Sequence, residues 1–268
     1  MNGVVLSDHE FLQFKDWIYR NAGIHFSAEK KALVTCRLAK RISHFRLASY
    51  GAYFRLLQSG THPEEVQMAV DLLTTNETYF FREPKHFHFL SQKILAQHPR
   101  GRGFRAWSAA SSYGHEAYSI GMLLADKLGG LPWEIVASDI SRRVLDKAQT
   151  GHYPLEQAQH IPRDYLERFC LKGIGAQDGT FLIDAELRKR VSFIQLNLTQ
   201  ALPKLGEFDV VFLRNVMIYF DTETKAQVVR QIVRHIRPGG YLLIGHSESL
   251  TGVANNLEAI APAIYRLP

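Results

Sequence analysis

With 268 residues, 46% of them hydrophobic, the chain is long enough to bury the core of one large domain or two modest ones. Its two cysteines, Cys36 and Cys170, exclude a disulfide scaffold or a cysteine-rich metal site and point to reduced thiols in a cytoplasm, no apolar run reaches membrane-spanning length, and MNGVVLSDHE lacks the basic start and apolar stretch of a secretory signal. The net charge of +6 is uneven: nine lysines and arginines stand against four acids in the first 60 residues, so an acidic partner is expected at that end.

The chain opens on helices. Ser7-Asp8-His9-Glu10 fits a capping box, and Phe11, Phe14 and Ile18 follow at helical spacing until Asn21-Ala22-Gly23 stops them. Ser27 is expected to cap a second helix, on which Val34, Leu38, Ile42 and Phe45 form an apolar stripe. Lys30, Arg37, Lys40, Arg41 and His44 line a neighbouring stripe with no interleaved acid, which reads either as a partner-binding face or as a solvated one. Tyr50 to Leu57 and Glu64 to Leu73 complete an all-helical region, joined by Gly60-Thr61-His62-Pro63.

Thr74-Thr75-Asn76-Glu77-Thr78-Tyr79-Phe80-Phe81-Arg82-Glu83-Pro84 breaks the helical pattern. It combines more hydrogen-bonding side chains and aromatic surface than a linker needs, so it is expected to cover a site. His86, His88 and His98 lack a carboxylate partner or zinc spacing and read as helix-surface or core histidines, so no metal is expected.

Phe104 to Trp107 reads as a buried strand. A run of small residues, Ser108 to Ser112, follows it, then Gly114 and an apolar helix that Gly129-Gly130 ends. Strand, small-residue turn and helix form a Rossmann-like unit, although the full G-x-G-x-x-G is missing. The next strand, Glu134 to Ser138, ends at Asp139, whose carboxylate suits ribose hydroxyls or caps the helix Ser141 to Gln149. From Gly151 to Arg190 the rhythm breaks into short segments rich in glycine and proline. Thr180 to Asp184 alternates there like an exposed antiparallel strand, so the stretch reads as an inserted small sheet. Strands resume at Val191 to Gln195, before Asn197-Leu198, and at Phe208 to Leu213, which ends on Arg214-Asn215. A helix capped near Asp221 is expected to run to Ile236. After Arg237-Pro238-Gly239-Gly240 come strands Tyr241 to Gly245 and Ala263 to Leu267.

In such a sheet the functional groups gather at the carboxyl ends of the strands. No G-x-x-x-x-G-K-[ST] cradles a triphosphate and no G-x-S-x-G marks a hydrolase. Acids, amides and one arginine suit a ligand with ribose hydroxyls, an amino group and a carboxylate but no pyrophosphate; S-adenosylmethionine is such a ligand.

Six stretches, TTNETYFFR (74–82), WSAA (107–110), Gly114 with EAYS (116–119), ASDI (137–140), RNVMIYF (214–220) and GHSES (245–249), resemble the chemotaxis receptor methyltransferases of the CheR type, over nearly the whole chain. The resemblance implies an α/β fold: a Rossmann-like S-adenosylmethionine-dependent methyltransferase domain (75–268) with a small antiparallel β-subdomain inserted at about 151–190, preceded by an all-helical receptor-recognition domain (1–74). It implies methylation of glutamate side chains on the cytoplasmic helices of chemoreceptors. Carried over by position, Asn76, Thr78, Arg82, Glu116, Asp139, Asn197, Leu198, Arg214 and Asn215 would line the cofactor site. Arg82 and Tyr219 would serve the transfer, with Tyr219 beside the moving methyl. Lys30, Arg37, Lys40 and Arg41 would meet the acidic receptor bundle, and the β-subdomain would dock a receptor's C-terminal pentapeptide, as in some members. His115 and Ala117 depart from the family's usual Glu and Pro. Two competing classes are a nucleic-acid methyltransferase using the basic helix and a catalytically silent S-adenosylmethionine-binding module. The family motifs argue against the first, and the retained Arg82 and Tyr219 against the second.

Overall fold

The structure is a computed structural model that describes residues 4–99, 101–253 and 256–268. Four helices come first: α1 (Asp8–Ala22), α2 (Lys31–His44) after a 3-10 turn at Ala28–Lys30, α3 (Tyr50–Gln58) and α4 (Pro63–Leu73). The capping box at Ser7 and Glu10 forms, and Gly23, at φ 69°, ends α1 in the left-handed region. Ser27 stands extended at the head of the 3-10 turn but its side chain caps nothing. Phe14, Ile18, Val34, Leu38 and Tyr53 are wholly buried among the four helices, each worth roughly 1.5–3 kcal/mol of transfer free energy.

The basic stripe on α2 is split by that packing, which corrects the expectation of one continuous face. Arg37 donates from Nη1 to the carbonyls of Leu73 (3.0 Å) and Thr74 (2.8 Å) and from Nη2 to Thr75 Oγ1 (3.1 Å). Arg41 forks onto Glu65, its Nε at 2.7 Å from Oε1, and Tyr53 donates to the same oxygen at 2.6 Å. Lys30, Lys40 and His44 remain exposed. Because Glu65 is 3% exposed, Arg41→Ala is expected to leave a buried carboxylate unpaired and to lower stability by about 2–3 kcal/mol in urea denaturation. Glu65→Gln should cost less, since Arg41 can turn to solvent. Equal losses would contradict this account of the pair.

Beyond α4 the chain forms α5 (Pro84–Phe89), β1 (Phe104–Ser108), α6 (His115–Leu128), β2 (Trp133–Asp139) and α7 (Arg142–Thr150). The insertion follows: β3 (His152–Pro154), α8 (Arg163–Phe169), β4 (Cys170–Lys172), β5 (Thr180–Ile183) and α9 (Ala185–Arg188). Then come β6 (Val191–Gln195), β7 (Phe208–Leu213), α10 (Thr222–Val233), β8 (Ile236–Ile244), β9 (Glu258–Ala261) and β10 (Ile264–Arg266). Among the described residues the main sheet has the order β6-β2-β1-β7-β8-β10-β9. The first five strands run parallel, and β10 and β9 are antiparallel additions at one edge. Chain order reverses between β1 and β7, which places the ligand crevice of an open α/β sheet at their carboxyl ends. All six residues of β7 are buried, as expected for a central parallel strand covered on both faces.

Several features differ from expectation. α10 stops at Val233, and β8 starts at Ile236, so Pro238-Gly239-Gly240 lies inside a strand, with a register irregularity opposite Phe208 and Val210. β5 is the middle strand of the inserted sheet, order β3-β5-β4, with Phe181 and Ile183 buried. β9 had no counterpart in the sequence reading.

Candidate active site

β1 delivers Ser108 and the turn that follows. That turn needs Gly114: at φ 84° it heads α6, and a Cβ there would stand 2.9 Å from Ala148 Cβ and 3.1 Å from the Tyr153 hydroxyl. α6 then presents Glu116 from its first turn. The other strand ends present Asp139, Asn197-Leu198 and Arg214-Asn215, and residues 74–82 run alongside. All nine residues expected to line a cofactor site, together with Tyr219, border one cleft with about 930 Å³ of empty space. Lys30, Arg37, Lys40 and Arg41 do not border it.

The cleft's strongest charge cluster is centred on Arg214, whose side chain is 1% exposed. Nη1 donates to Glu116 Oε2 at 2.8 Å; Nη2 donates to Glu83 Oε2 at 2.9 Å and to the Arg82 carbonyl at 2.5 Å. Ser108 Oγ donates to the other Glu116 oxygen at 2.6 Å. Burial raises the Glu116 carboxyl above its ordinary value, with Arg214 and Ser108 opposing. Burial acts the same way on Glu83, but there Arg214, Asn215 and the His246 N–H prevail and the carboxyl titrates low. Asn215, at φ 56°, donates from Nδ2 to Glu83 Oε1 (3.1 Å), and its N–H to Glu248 Oε2 (3.0 Å). Gly245 makes room for that approach, since a Cβ there would lie 2.6 Å from Asn215 Nδ2.

Asp139, 8% exposed, accepts the Ser112 N–H on Oδ2 (2.8 Å) and the Ser141 N–H on Oδ1 (2.9 Å). Each oxygen keeps a second lone pair, so the carboxylate can still accept a pair of adjacent hydroxyls. Burial pushes its carboxyl up to about 6, the two N–H groups opposing. Ser112, at φ 48°, also donates from Oγ to the Asn76 carbonyl (2.9 Å), tying residues 74–82 to the β1 turn. Arg82 donates to the Glu77 carbonyl at 2.9 Å and lies 5.7 Å from the Tyr79 ring centroid.

The helical unit supplies part of the wall through Ala22 and Ile24. It is fastened there by Asn197 Nδ2 to the Asn21 carbonyl (2.7 Å) and by the His25 N–H to the Tyr219 carbonyl (2.8 Å). His115, where the family usually has Glu, is buried and pushed down to about 4 by that burial, so it is neutral near pH 7. Its Nε2 lies 2.9 Å from Gln157 Oε1 and its ring 4.6 Å from Phe80. Ala117 is wholly buried.

Sequence reasoning missed the wall made by Ala22 and Ile24, and it gave no role to Glu83 or Ser108, although both lie in stretches it singled out. Glu83 stands directly after the candidate Arg82, but its partner Arg214 is 131 residues away. The three histidines lie on a helix surface or in the interior, as expected, but the expectation that none has a carboxylate nearby needs correction. His86 does have a carboxylate beside it, with Nδ1 3.4 Å from Glu83 Oε2. Burial first, and Arg214 second, push its imidazole down to about 3. The His98 side chain is buried, its Nε2 2.9 Å from the Arg102 carbonyl and its Nδ1 4.0 Å from Asp209 Oδ1, and His88 is exposed.

A switch-point cleft lined by carboxylates and amides on this sheet is the ligand crevice of a Rossmann-like domain. The family model described as the CheR methyltransferase all-alpha domain matches residues 9–74, and that of the CheR methyltransferase SAM binding domain matches residues 76–265. The chain is 39% identical over 269 residues to the chemotaxis protein methyltransferase of Escherichia coli (strain K12), covering 98% of this chain and 92% of that one. It is 40% identical over 259 residues to chemotaxis protein methyltransferase 2 of Pseudomonas aeruginosa, covering 96% and 92%, and 36% identical over 260 residues to the Borreliella burgdorferi enzyme, covering 93% and 90%. The chain belongs to the CheR methyltransferase family.

Proposed function

We infer that this chain methylates glutamate side-chain carboxylates on methyl-accepting chemoreceptors in the cytoplasm, for chemotactic adaptation. The observation that carries the reading is the convergence of ten residues, from four strand ends, residues 74–82 and the turn after Asn215, on one cleft. The cofactor fits that cleft: Asp139 offers free lone pairs for ribose hydroxyls, and the remaining lining mixes apolar and amide groups. Asn76, Thr78, Arg82, Glu116, Asn197, Leu198, Arg214 and Asn215 would complete its site. When bound, S-adenosylmethionine supplies a methyl group activated on a sulfonium. A glutamate carboxylate, with a reference pKa of about 4.3, is already ionised near neutrality, so the chain needs no general base and has to orient its substrate and exclude water. No helix among the described residues is long and apolar enough to cross a membrane.

In this reading residues 1–74 form the receptor-recognition domain and 75–268 the methyltransferase domain with its insertion. Lys30 and Lys40 offer exposed charge to an acidic bundle, while Arg37 and Arg41 position that face through their internal bonds. The same internal pairing thins the basic surface that nucleic acid would need. A receptor's C-terminal pentapeptide would dock on the β-subdomain, where β4 is an edge strand and Leu171 is 56% exposed. Deleting a receptor's tail should then reduce its methylation. Mapping base-labile methyl esters on receptors by mass spectrometry tests the whole reading, and labelled methyl appearing on RNA instead would overturn it.

Tyr219, half-buried between the helical unit and the β7 turn, borders the cleft. Tyr219→Phe is expected to lower turnover while S-adenosylhomocysteine affinity stays within a few-fold. An unaltered rate at saturating receptor would remove its hydroxyl from the reaction.

A further inference from the structure

Glu83, His86 and His246 come from two distant stretches of chain, yet each offers a ligand atom within 4.8 Å of the others'. His86 is wholly buried, and neither of its ring nitrogens has a hydrogen-bond partner in the protein. Buried polar atoms are nearly always partnered, so these orphaned nitrogens call for partners, and a metal ion would take one of them. Nδ1 faces Glu83 Oε2 at 3.4 Å, His246 Nε2 stands 4.0 Å from the same oxygen, and the two imidazole rings lie 4.7 Å apart. A second cavity, apart from the cleft, has His86 and His246 among its lining residues.

We propose that Glu83, His86 and His246 bind a divalent first-row transition ion, zinc above all, and that the bound ion inhibits methyl transfer. Two imidazole nitrogens and one carboxylate oxygen suit zinc, and three protein ligands leave a fourth position for water. The carboxylates nearest the three ligands, Glu83 and Glu116, outnumber Arg214 by one charge, although Lys85 and Lys93 stand in the wall of the adjoining cavity. Inhibition follows from the oxygen the ion would use. Glu83 Oε2 already accepts from Arg214 Nη2 at 2.9 Å and from the His246 N–H at 3.3 Å, which occupies both of its lone pairs. An ion on that oxygen displaces one of these donors and so loosens the bonding around Arg214 at the cleft.

Metal-free full-length protein, without cofactor or receptor, is titrated with Zn²⁺ by calorimetry and with Co²⁺ by visible absorption. One ion per chain is expected, with a four-coordinate Co²⁺ band. His246→Ala should weaken Zn²⁺ binding at least about tenfold and remove the band. The comparison is needed because the chain has 12 histidines; if His246→Ala melts early when metal-free, His246→Gln takes its place. In methylation assays zinc should slow the wild type, and the variant should need at least about ten times more zinc for equal fractional inhibition. Absence of stoichiometric binding, or unchanged affinity in the His246 variant, overturns the site. Stoichiometric binding without inhibition overturns the inhibitory role. Binding is read without methyl transfer, so its outcome is separate from that of the proposed function.

Discussion

Arg214→Ala is expected to abolish measurable S-adenosylhomocysteine binding and to lower the melting temperature by roughly 10 °C. The arginine is the sole cation bonded to the Glu83 and Glu116 carboxylates among the described hydrogen bonds, and both side chains are only 14% exposed. Removing one partner of a buried pair typically costs about 3–5 kcal/mol, because the remaining charge is stranded. Here two charges are stranded and the Arg82 carbonyl loses its donor as well. Arg214→Lys should fall between, since an ammonium cannot span two carboxylates with a planar fork. Calorimetry and thermal unfolding measure both quantities. A variant that melts like the wild type would show that Glu83 and Glu116 do not depend on Arg214.

Asp139→Ala should weaken S-adenosylhomocysteine at least about tenfold with the protein still folded, in line with the roughly 1.5–3 kcal/mol of a charge-assisted hydrogen bond. The pH dependence gives a sharper test, because binding and stability should move in opposite directions. Burial raises the folded carboxyl from its ordinary 3.8 to about 6. The folded state therefore holds this proton more tightly than the unfolded one. The stability that it lends is fully present below about pH 4 and is lost as pH rises through about 6. Ribose recognition needs the ionised form, so affinity should rise over the same interval. Asp139→Asn should flatten both trends. An affinity independent of pH between 4 and 7 in the wild type would remove Asp139 from the ribose.

The parallel strands were legible because burial on both faces leaves near-continuous apolar runs such as Phe208 to Leu213, and the capping box and Gly23 marked α1 as plainly. β9 was illegible for the converse reason: Glu258 to Ile260 are exposed on an edge strand, so no apolar face marks them. Pro238-Gly239-Gly240 reads as a break, yet the irregular register there lets β8 carry it. The cleft-lining residues could be named because of a family resemblance, since spacing alone left Asp139 open between a ribose and a helix cap. The partners of those residues stayed hidden. Arg41 displays a charge in the sequence, but Glu65 turns that charge inward from 24 positions away. Glu83 meets Arg214 only once β7 lies beside β1.

Ala22 and Ile24 have one further consequence. A molecule filling the cleft touches the helical unit and the strand ends together, so its binding free energy acts as mortar between them. Ligand-free protein has to hold the two parts with contacts such as Asn197 to Asn21 and His25 to Tyr219. A saturated sample gains a shared filling that neither part can lose alone. Hydrogen exchange should therefore slow at the end of α1 as well as at the β1 turn when ligand is added, although α1 lies more than 80 residues earlier in the chain.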